Sequence, residues 1–143
     1  MNKQSTILHA STVSLGNKGA VFLGASGAGK SGLALEMMAL GARLIADDRT
    51  ELCRWDGADE IIARAPKGLP PLIEARGIGL LNAPLAGSVR VAVVVDLDET
   101  EGQRMPELRN TLLLGRYIPL LHRPATPHFA ASLYHYLMFG RKD

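Results

Sequence analysis

Residues 24–31 read GASGAGKS, and this stretch decides the fold. It matches the phosphate-loop pattern G-x-x-x-x-G-K-[ST], with Gly24, Gly29, Lys30 and Ser31 at the fixed positions. Glycines let such a loop curl so that its backbone N–H groups point at a polyphosphate, and the following helix N-terminus adds favourable partial charge. The predicted nucleotide-binding residues are Gly24, Ala25, Ser26, Gly27, Ala28, Gly29, Lys30 and Ser31. Lys30 is predicted to neutralise the β- and γ-phosphates, and the Ser31 hydroxyl to ligate Mg²⁺.

The segments on either side of the loop supply the context that this motif requires. The apolar stretch AVFLG (20–24) predicts a strand, and SGLALEMMAL (31–40) is rich in strong helix formers. Gly41 suits the end of that helix. A glycine-rich turn without a ligand is the alternative, but a strand before the loop and a helix after it favour a phosphate site.

The rest of the chain is dominated by strand patterns. Residues 5–15 predict one strand, and ARLIADD (42–48) predicts a strand ending in two carboxylates. TELCRW (50–55) and EIIARA (60–65) flank Asp56-Gly57 and predict a hairpin. The uninterrupted apolar run in VRVAVVVDLDE (89–99) predicts a strand buried on both faces.

The C-terminal part is less regular. Residues 99–110 predict a polar loop, and RYIPLLHRP (116–124) a last strand or extended segment. A helix is predicted from Pro127 to Gly140, with Thr126 as N-cap and Pro127 at the first helical position. The predicted fold class is therefore a strand-rich α/β P-loop domain with few helices.

Composition limits the possible functions. The chain has 143 residues, a net charge of +2 and a single cysteine, Cys53. Residues 1–143 therefore predict one domain, and the absence of a basic run argues against nucleic-acid binding. One cysteine cannot form an intramolecular disulfide, and no apolar run approaches the length of a membrane span. We expect a cytoplasmic protein with no membrane partner.

Three acidic positions compete to work with the loop. Asp47-Asp48 follow the strand after the loop helix, where a carboxylate would face the phosphate crevice. Asp96 and Asp98 follow the strongest strand, either as a metal-binding acid or, as we favour, in a strand-ending turn. Glu74 lies in a glycine-containing segment, where the alternative is a loop carboxylate paired with Arg76. Spacing alone does not decide among them.

Three stretches in order, GASGAGKS, ALEMMALGARLIADD and IEARGIGLLN (73–82), resemble the HPr kinase/phosphorylase family over about residues 8–124. The resemblance implies an ATP- and Mg²⁺-dependent kinase that phosphorylates a serine of an HPr-type phosphocarrier in a phosphotransferase system. It further implies a homo-oligomer, typically a hexamer in this family. The chain corresponds to a short form that begins almost directly with the catalytic domain.

The resemblance also implies residue roles. Asp48 matches the catalytic acid/base, which independently suits the activation of a serine hydroxyl, a poor nucleophile. Glu74 matches a second metal ligand beside Ser31. His9 and Arg104 match an active-site histidine and arginine by spacing, although a half-buried strand histidine is the simpler interpretation of His9.

One segment departs from the family pattern. Where the family carries a Pro-Gly-Arg run associated with dephosphorylation, this chain has PLLHRPATPH (119–128). We therefore expect weak or absent phosphorolysis. A small-molecule P-loop kinase and a non-catalytic nucleotide sensor remain alternatives, and the carboxylate at Asp48 distinguishes a hydroxyl kinase from a sensor. An apolar stripe in the last helix, including Phe129, Leu133 and Leu137, is expected to be core.

Overall fold

A computed structural model describes residues 2–142. The two helices are α1 (Lys30–Ala39) and α2 (Phe129–Phe139). The strands are β1 (Lys3–Leu8), β2 (Ala10–Leu15), β3 (Lys18–Leu23), β4 (Arg43–Ala46), β5 (Thr50–Trp55), β6 (Ile62–Arg64), β7 (Leu72–Ala75), β8 (Gly79–Asn82), β9 (Val89–Glu101), β10 (Arg109–Leu113) and β11 (Arg116–Pro124). This is the strand-rich α/β architecture with few helices that the sequence predicts.

The long strand β9 organises the main sheet. It runs parallel to β3 along residues 90–96 and parallel to β11 along residues 94–101, while its first residues pair antiparallel with β6. The sheet continues from β3 through β2 to β4, and from β6 through β5 to β1. The strands β7 and β8 form a separate hairpin. Because β3 and β9 are parallel neighbours, their carboxyl ends meet at one edge of the sheet.

The core lies on both faces of β9, as its apolar run predicts. Val93 and Val95 pack in a cluster with Phe22, Met37 and Leu133, on the face covered by the two helices. Val94 points the other way and joins a cluster on the opposite face that is contributed mainly by strands. Successive side chains of a strand alternate between faces, so only a strand covered on both sides buries such a run.

The predicted strand over residues 5–15 is wrong in one respect, because the chain bends at His9 and forms two strands. β1 pairs with β5, whereas β2 pairs with β3 and β4. The β-branched composition continues through the bend and gives no local sign of it.

The C-terminal predictions need three corrections. β9 continues through Glu101, so Asp96 and Asp98 lie within a strand and not in a strand-ending turn. The end of the predicted loop at 99–110 belongs to β10, which pairs with β11. α2 begins at Phe129 with His128 as N-cap, because the Thr126 hydroxyl accepts the His128 N–H at 3.2 Å and closes a turn before the helix.

The predicted hairpin of β5 and β6 and the helix after the phosphate loop are confirmed. Leu133 and Leu137 of the α2 stripe are buried as expected, and Phe129 packs against them partly buried. Between residues 2 and 142, neither helix is long and apolar enough to cross a bilayer.

Candidate active site

The glycine-rich loop connects β3 to α1 at the carboxyl edge of the sheet. Gly24 and Gly29 have φ values of +154° and +102°, which side-chain-bearing residues rarely adopt. A Cβ atom at Gly24 would lie 2.8 Å from the Ala28 side chain, and one at Gly29 would lie 3.3 Å from Nη2 of Arg123. The conformation of the loop therefore requires glycine at both positions.

Lys30 is buried, although it carries a charge. Its Nζ atom donates hydrogen bonds to the carbonyl oxygens of Gly24 at 2.7 Å and Ala25 at 3.2 Å. Burial of an ammonium group is costly unless its donors are hydrogen-bonded, and here two loop carbonyls accept from it. The positive charge is thus held inside the curl of the loop.

Asp98 fastens the start of the loop to β9. Both of its carboxylate oxygens accept the backbone N–H of Ala25, at 3.1 and 3.0 Å. The Asp98 N–H in turn donates to Oδ1 of Asp96 at 3.0 Å. These two acids therefore contact the loop or one another, and neither lines the cavity described below.

Asp47 is the centre of a hydrogen-bond network at the end of β4. Its Oδ1 atom accepts from the hydroxyls of Ser31 and Ser11, both at 2.7 Å. Its Oδ2 atom accepts the backbone N–H of Glu74 at 3.1 Å. This carboxylate joins the first turn of α1, the strand β2 and the β7–β8 hairpin.

Asp48 has a left-handed backbone conformation, with φ of +70°. Aspartate tolerates this region better than most residues, but the conformation still costs free energy. Residues in such strained conformations are found most often at functional sites. The Asp48 N–H donates to the Ser11 hydroxyl at 3.1 Å, and Oδ1 lies 3.2 Å from Nε2 of His9. The Asp48 side chain is 60% exposed and that of His9 55%, so the pair faces solvent.

A cavity of about 280 Å³ brings these groups together. Its walls are the loop, the first turn of α1, Asp48 and the β7–β8 hairpin. The charged and hydroxyl groups that line it are those of Ser26, Lys30, Ser31, Asp48, Glu74 and Arg76. The cavity therefore combines a cation-bearing phosphate loop with the carboxylates of Asp48 and Glu74.

The structure brings most of the sequence-predicted residues to this place. Lys30, Ser31, Asp48 and Glu74 line the cavity, and His9 contacts Asp48 at its rim. His9 is therefore not a half-buried strand histidine but an exposed residue at the bend between β1 and β2.

Arg104 lies elsewhere. It lines a different cavity of about 310 Å³, formed by the segment after β9, by β11 and by α2. Arg104 therefore does not join Lys30 and Asp48 within this chain, because β9 extends beyond the loop and directs the following segment towards α2. The alternative for Glu74, a pairing with Arg76, is not among the ion pairs found between residues 2 and 142.

The oxygen donors at the site fit a magnesium ion. The Ser31 hydroxyl and the Asp47 carboxylate are in contact, and Glu74 lines the same cavity. Within the part of the chain that the structure describes, no group of three or more His, Cys, Asp or Glu could hold a metal alone. Mg²⁺ usually takes one or two protein oxygens together with substrate phosphates and water, so this sparse donor set suits a nucleotide-bound ion.

Several contributing residues were missed from the sequence. The sequence singles out Asp47 only as part of a pair with Asp48, and it does not single out Ser11. Ser11 is fully buried and needs partners, but β2 reads ASTVSL, so no local pattern distinguishes Ser11 from Thr12 or Ser14. Arg123 lies in the segment 119–128 that departs from the family pattern, and it contacts the back of the loop by donating to the Ala28 carbonyl.

The parallel strands β3 and β9, the phosphate loop between β3 and α1, and the carboxylates at the strand ends define a P-loop nucleotide-binding domain. The family model described as HPr Serine kinase C-terminal domain matches residues 2–104. The chain belongs to this family.

Two named relatives support this family assignment. The chain is 36% identical over 106 residues to HPr kinase/phosphorylase 1 of Oceanobacillus iheyensis, covering 69% of this chain and 34% of that protein. It is 33% identical over 134 residues to the HPr kinase/phosphorylase of Exiguobacterium sp., covering 85% of this chain and 43% of the relative. The chain therefore spans less than half the length of these relatives.

A solved structure shows the same fold. The HPr(Ser) kinase/phosphatase from Coxiella burnetii superposes with a TM-score of 0.76 at 20% sequence identity, covering 93% of this chain and 88% of that one.

Proposed function

We propose that this chain is a catalytic domain that transfers the γ-phosphoryl group of ATP to a serine of an HPr-type phosphocarrier protein. The proposal rests on the position and the backbone conformation of Asp48. A nucleotide sensor needs the loop, Lys30 and a metal site, but it has no need of a second carboxylate held in a strained conformation at the open side of the cavity.

The chemistry assigns one task to each group. Asp48 accepts the proton of the serine hydroxyl while the serine oxygen forms its bond to the γ-phosphorus. The bond from the γ-phosphorus to the bridging oxygen breaks, and ADP leaves with the electron pair. Lys30 and the loop N–H groups stabilise the charge that develops on the phosphoryl oxygens. Ser31 and Asp47, with Glu74 nearby, would hold Mg²⁺, which would supply positive charge beside the phosphates when bound.

His9 has a positioning task in this proposal. Its Nε2 atom contacts Oδ1 of Asp48, the carboxylate that receives the proton. This contact engages only Oδ1 and leaves the other carboxylate oxygen available to the incoming hydroxyl. Arg104 stays a prediction from resemblance, because it does not reach this cavity within the chain.

The surface beside the cavity favours a protein as acceptor over a small metabolite. The β7–β8 hairpin carries Glu74 and Arg76 towards the loop and exposes 78% of Ile78 and 69% of Leu80. Large apolar side chains exposed next to a polar reaction site are typical of protein contact surfaces. We assign this hairpin to the docking of the phosphocarrier.

We further propose that phosphorolysis is weak or absent. The match to the family model covers residues 2–104 and does not reach the segment 119–128, which lacks the Pro-Gly-Arg run. In this chain that segment supplies Arg123 to the back of the loop, where it contacts the Ala28 carbonyl. A single catalytic domain over residues 1–143, a homo-oligomer of the hexameric type and a cytoplasmic location also stay predictions.

A transfer assay tests the proposed function. The chain is mixed with Mg·ATP and an HPr-type carrier, and the carrier is measured by intact mass and by mapping of phosphoserine. One added phosphoryl group on a single serine supports the kinase. ADP formation with an unmodified carrier points to another acceptor, and binding of ATP without turnover identifies a sensor. The phosphorylated carrier is then incubated with phosphate, and its dephosphorylation at a rate equal to the forward transfer contradicts weak phosphorolysis.

A further inference from the structure

The cavity that contains Arg104 is separate from the one that contains Asp48. Its volume is about 310 Å³, at the lower end of the range of small-molecule sites, which is about 300–1,000 Å³. Its walls come from the segment 102–108, from β11 and from one face of α2, and the two cavities share no lining residue. A ligand held here would therefore be additional to a nucleotide on the phosphate loop.

Two contacts hold the segment 102–108 in place. Nη2 of Arg109 donates to Oε1 of Glu101 at 3.2 Å, and this ion pair joins the start of β10 to the end of β9 at the base of the segment. The Arg141 guanidinium group donates to the Pro106 carbonyl, which ties the chain after α2 to the middle of the same segment. The wall that the segment forms is thus fixed at its base and in its middle, as in a preformed ligand site.

Apolar side chains cover the inner part of this cavity. Phe129 and Leu133 come from α2, and Pro119 and Leu121 come from β11. Leu133 is 1% exposed and belongs to the core, whereas Phe129 is only partly buried. The cavity thus reaches the core, and an apolar group that fills it gains free energy by burial. A flat ring gains further by offset or edge-to-face packing beside Phe129.

The charges around the cavity favour a monoanion. Within the part of the chain that the structure describes, three arginines and two glutamates line it, which leaves one excess positive charge with His122 neutral. Arg104 is exposed and takes part in none of the ion pairs found between residues 2 and 142. The glutamate outside the ion pair with Arg109 is Glu107, which is also exposed. A guanidinium group binds a carboxylate through two parallel hydrogen bonds, so Arg104 suits a carboxylate ligand.

Two further groups at the cavity can donate hydrogen bonds. His122 belongs to β11 and Tyr136 to α2, so they lie on the two walls other than the segment that carries Arg104. Burial raises the pKa of Tyr136, so its hydroxyl stays protonated at neutral pH and can donate. An apolar interior with a few polar donors on its walls is the usual composition of a site for a small amphipathic molecule.

We propose that this cavity binds a small organic carboxylate with an aromatic or branched apolar body. The carboxylate contacts Arg104, and the apolar body packs against Phe129 and Leu133. His122 and Tyr136 donate to the polar end of the ligand. The site goes beyond the kinase function proposed above and does not rest on it, because no residue of the phosphate loop takes part.

NMR titration of the ¹⁵N-labelled full chain with indole-3-propanoate tests both parts of the ligand. Indole-3-propanamide keeps the apolar body without the charge, and propanoate keeps the charge without the ring. We expect indole-3-propanoate to bind at least tenfold more tightly than either compound, with the largest amide shifts in β11, α2 and the segment 102–108. Affinities of the acid and the amide within twofold, no binding of the acid, or shifts centred on residues 24–31 would overturn the proposal.

Matched variants test the position of the site. Ser132→Phe fills the cavity from an exposed position of α2, whereas Ala131→Phe adds the same side chain at an exposed position outside it. Arg104→Gln removes the proposed charge contact, and Arg116→Gln removes an exposed arginine elsewhere.

We expect Ser132→Phe and Arg104→Gln each to weaken indole-3-propanoate at least tenfold, and both controls to change its affinity by less than twofold. Urea unfolding shows that each variant is folded, and the comparison of acid with amide on the unaltered chain needs no variant. Affinity that either Ser132→Phe or Arg104→Gln leaves within twofold would overturn the site, as would an equal loss in the matched control.

Discussion

The hydroxyl of Ser31 donates a 2.7 Å hydrogen bond to Oδ1 of Asp47. The contact joins the last residue of the phosphate loop to the end of β4. Two oxygen donors of the kind that Mg²⁺ prefers are thus held together by the fold. The contact also explains why two acidic residues in succession are useful, since one carboxylate is fixed beside the loop and the next is left facing the cavity.

Removal of the Asp47 charge is expected to weaken the use of Mg²⁺. The variant Asp47→Asn keeps the oxygen that accepts from Ser31 and Ser11, while the negative charge and the acceptor of the Glu74 N–H are lost. We expect the Mg²⁺ concentration needed for half-maximal ATP binding to rise about tenfold, a loss of about 1.4 kcal/mol. Calorimetry across a Mg²⁺ series measures this. The control is Asp56→Asn, which removes a carboxylate from the turn between β5 and β6. A half-maximal Mg²⁺ concentration that Asp47→Asn leaves unchanged would exclude Asp47 from the metal site.

The contact between His9 and Asp48 predicts coupled effects on turnover. We expect His9→Ala to lower kcat about tenfold, because Asp48 loses the partner 3.2 Å from its Oδ1 atom. In an Asp48→Asn background the same change should have little further effect, since coupled residues are not additive. Steady-state kinetics of the two single variants and the double variant measure this. Full additivity would show that His9 acts independently of Asp48.

The exposed apolar residues of the β7–β8 hairpin predict a defect specific to the carrier. We expect Leu80→Ser to raise KM for the phosphocarrier about fivefold or more and to leave KM for ATP unchanged. Leu108→Ser is the matched control, because Leu108 is 74% exposed and Leu80 69%, and Leu108 lies outside the hairpin. Equal effects of the two variants would refute docking at the hairpin.

One ion pair outside the site predicts a dependence of stability on pH. Nε of Arg64 donates to Oε1 of Glu51 at 2.9 Å, and this hydrogen bond lowers the pKa of Glu51 against the opposing effect of burial. A carboxyl with a lowered folded-state pKa stabilises the fold above its unfolded pKa, and the contribution is lost as pH falls through the folded value.

The Glu51→Gln variant checks that dependence. Because Arg64 is partly exposed, we expect a loss of no more than about 1 kcal/mol in the free energy of unfolding at pH 7. The difference from the unaltered chain should shrink as pH falls below the folded pKa. Urea unfolding at a series of pH values measures it, and a difference that grows towards acid pH would contradict the assignment.

Local patterns predicted much of this fold. The loop and α1 follow from a fixed motif in a strand–helix context, and β9 follows from an apolar run that only a strand covered on both faces can bury. The β5–β6 hairpin follows from Asp56-Gly57 between two strand patterns. Each of these signals lies within a few consecutive residues.

The features that were missed depend on distant segments. The Asp47 network joins Ser11, Ser31 and Glu74, which belong to separate elements, and no local pattern encodes that meeting. The break at His9 arises because β1 and β2 have different partners. Arg104 was assigned by spacing from a family pattern, and the extension of β9 places it at another cavity.

The most direct test of the central claim is the Asp48→Asn variant, studied with both ATP binding and transfer to the carrier. Asparagine keeps the size and the left-handed tolerance of aspartate but cannot accept the proton. We expect ATP affinity within about twofold of the unaltered chain and a loss of phosphoserine formation of about 10²-fold or more. Transfer at the unaltered rate, or loss of ATP binding with normal residual turnover, would contradict it.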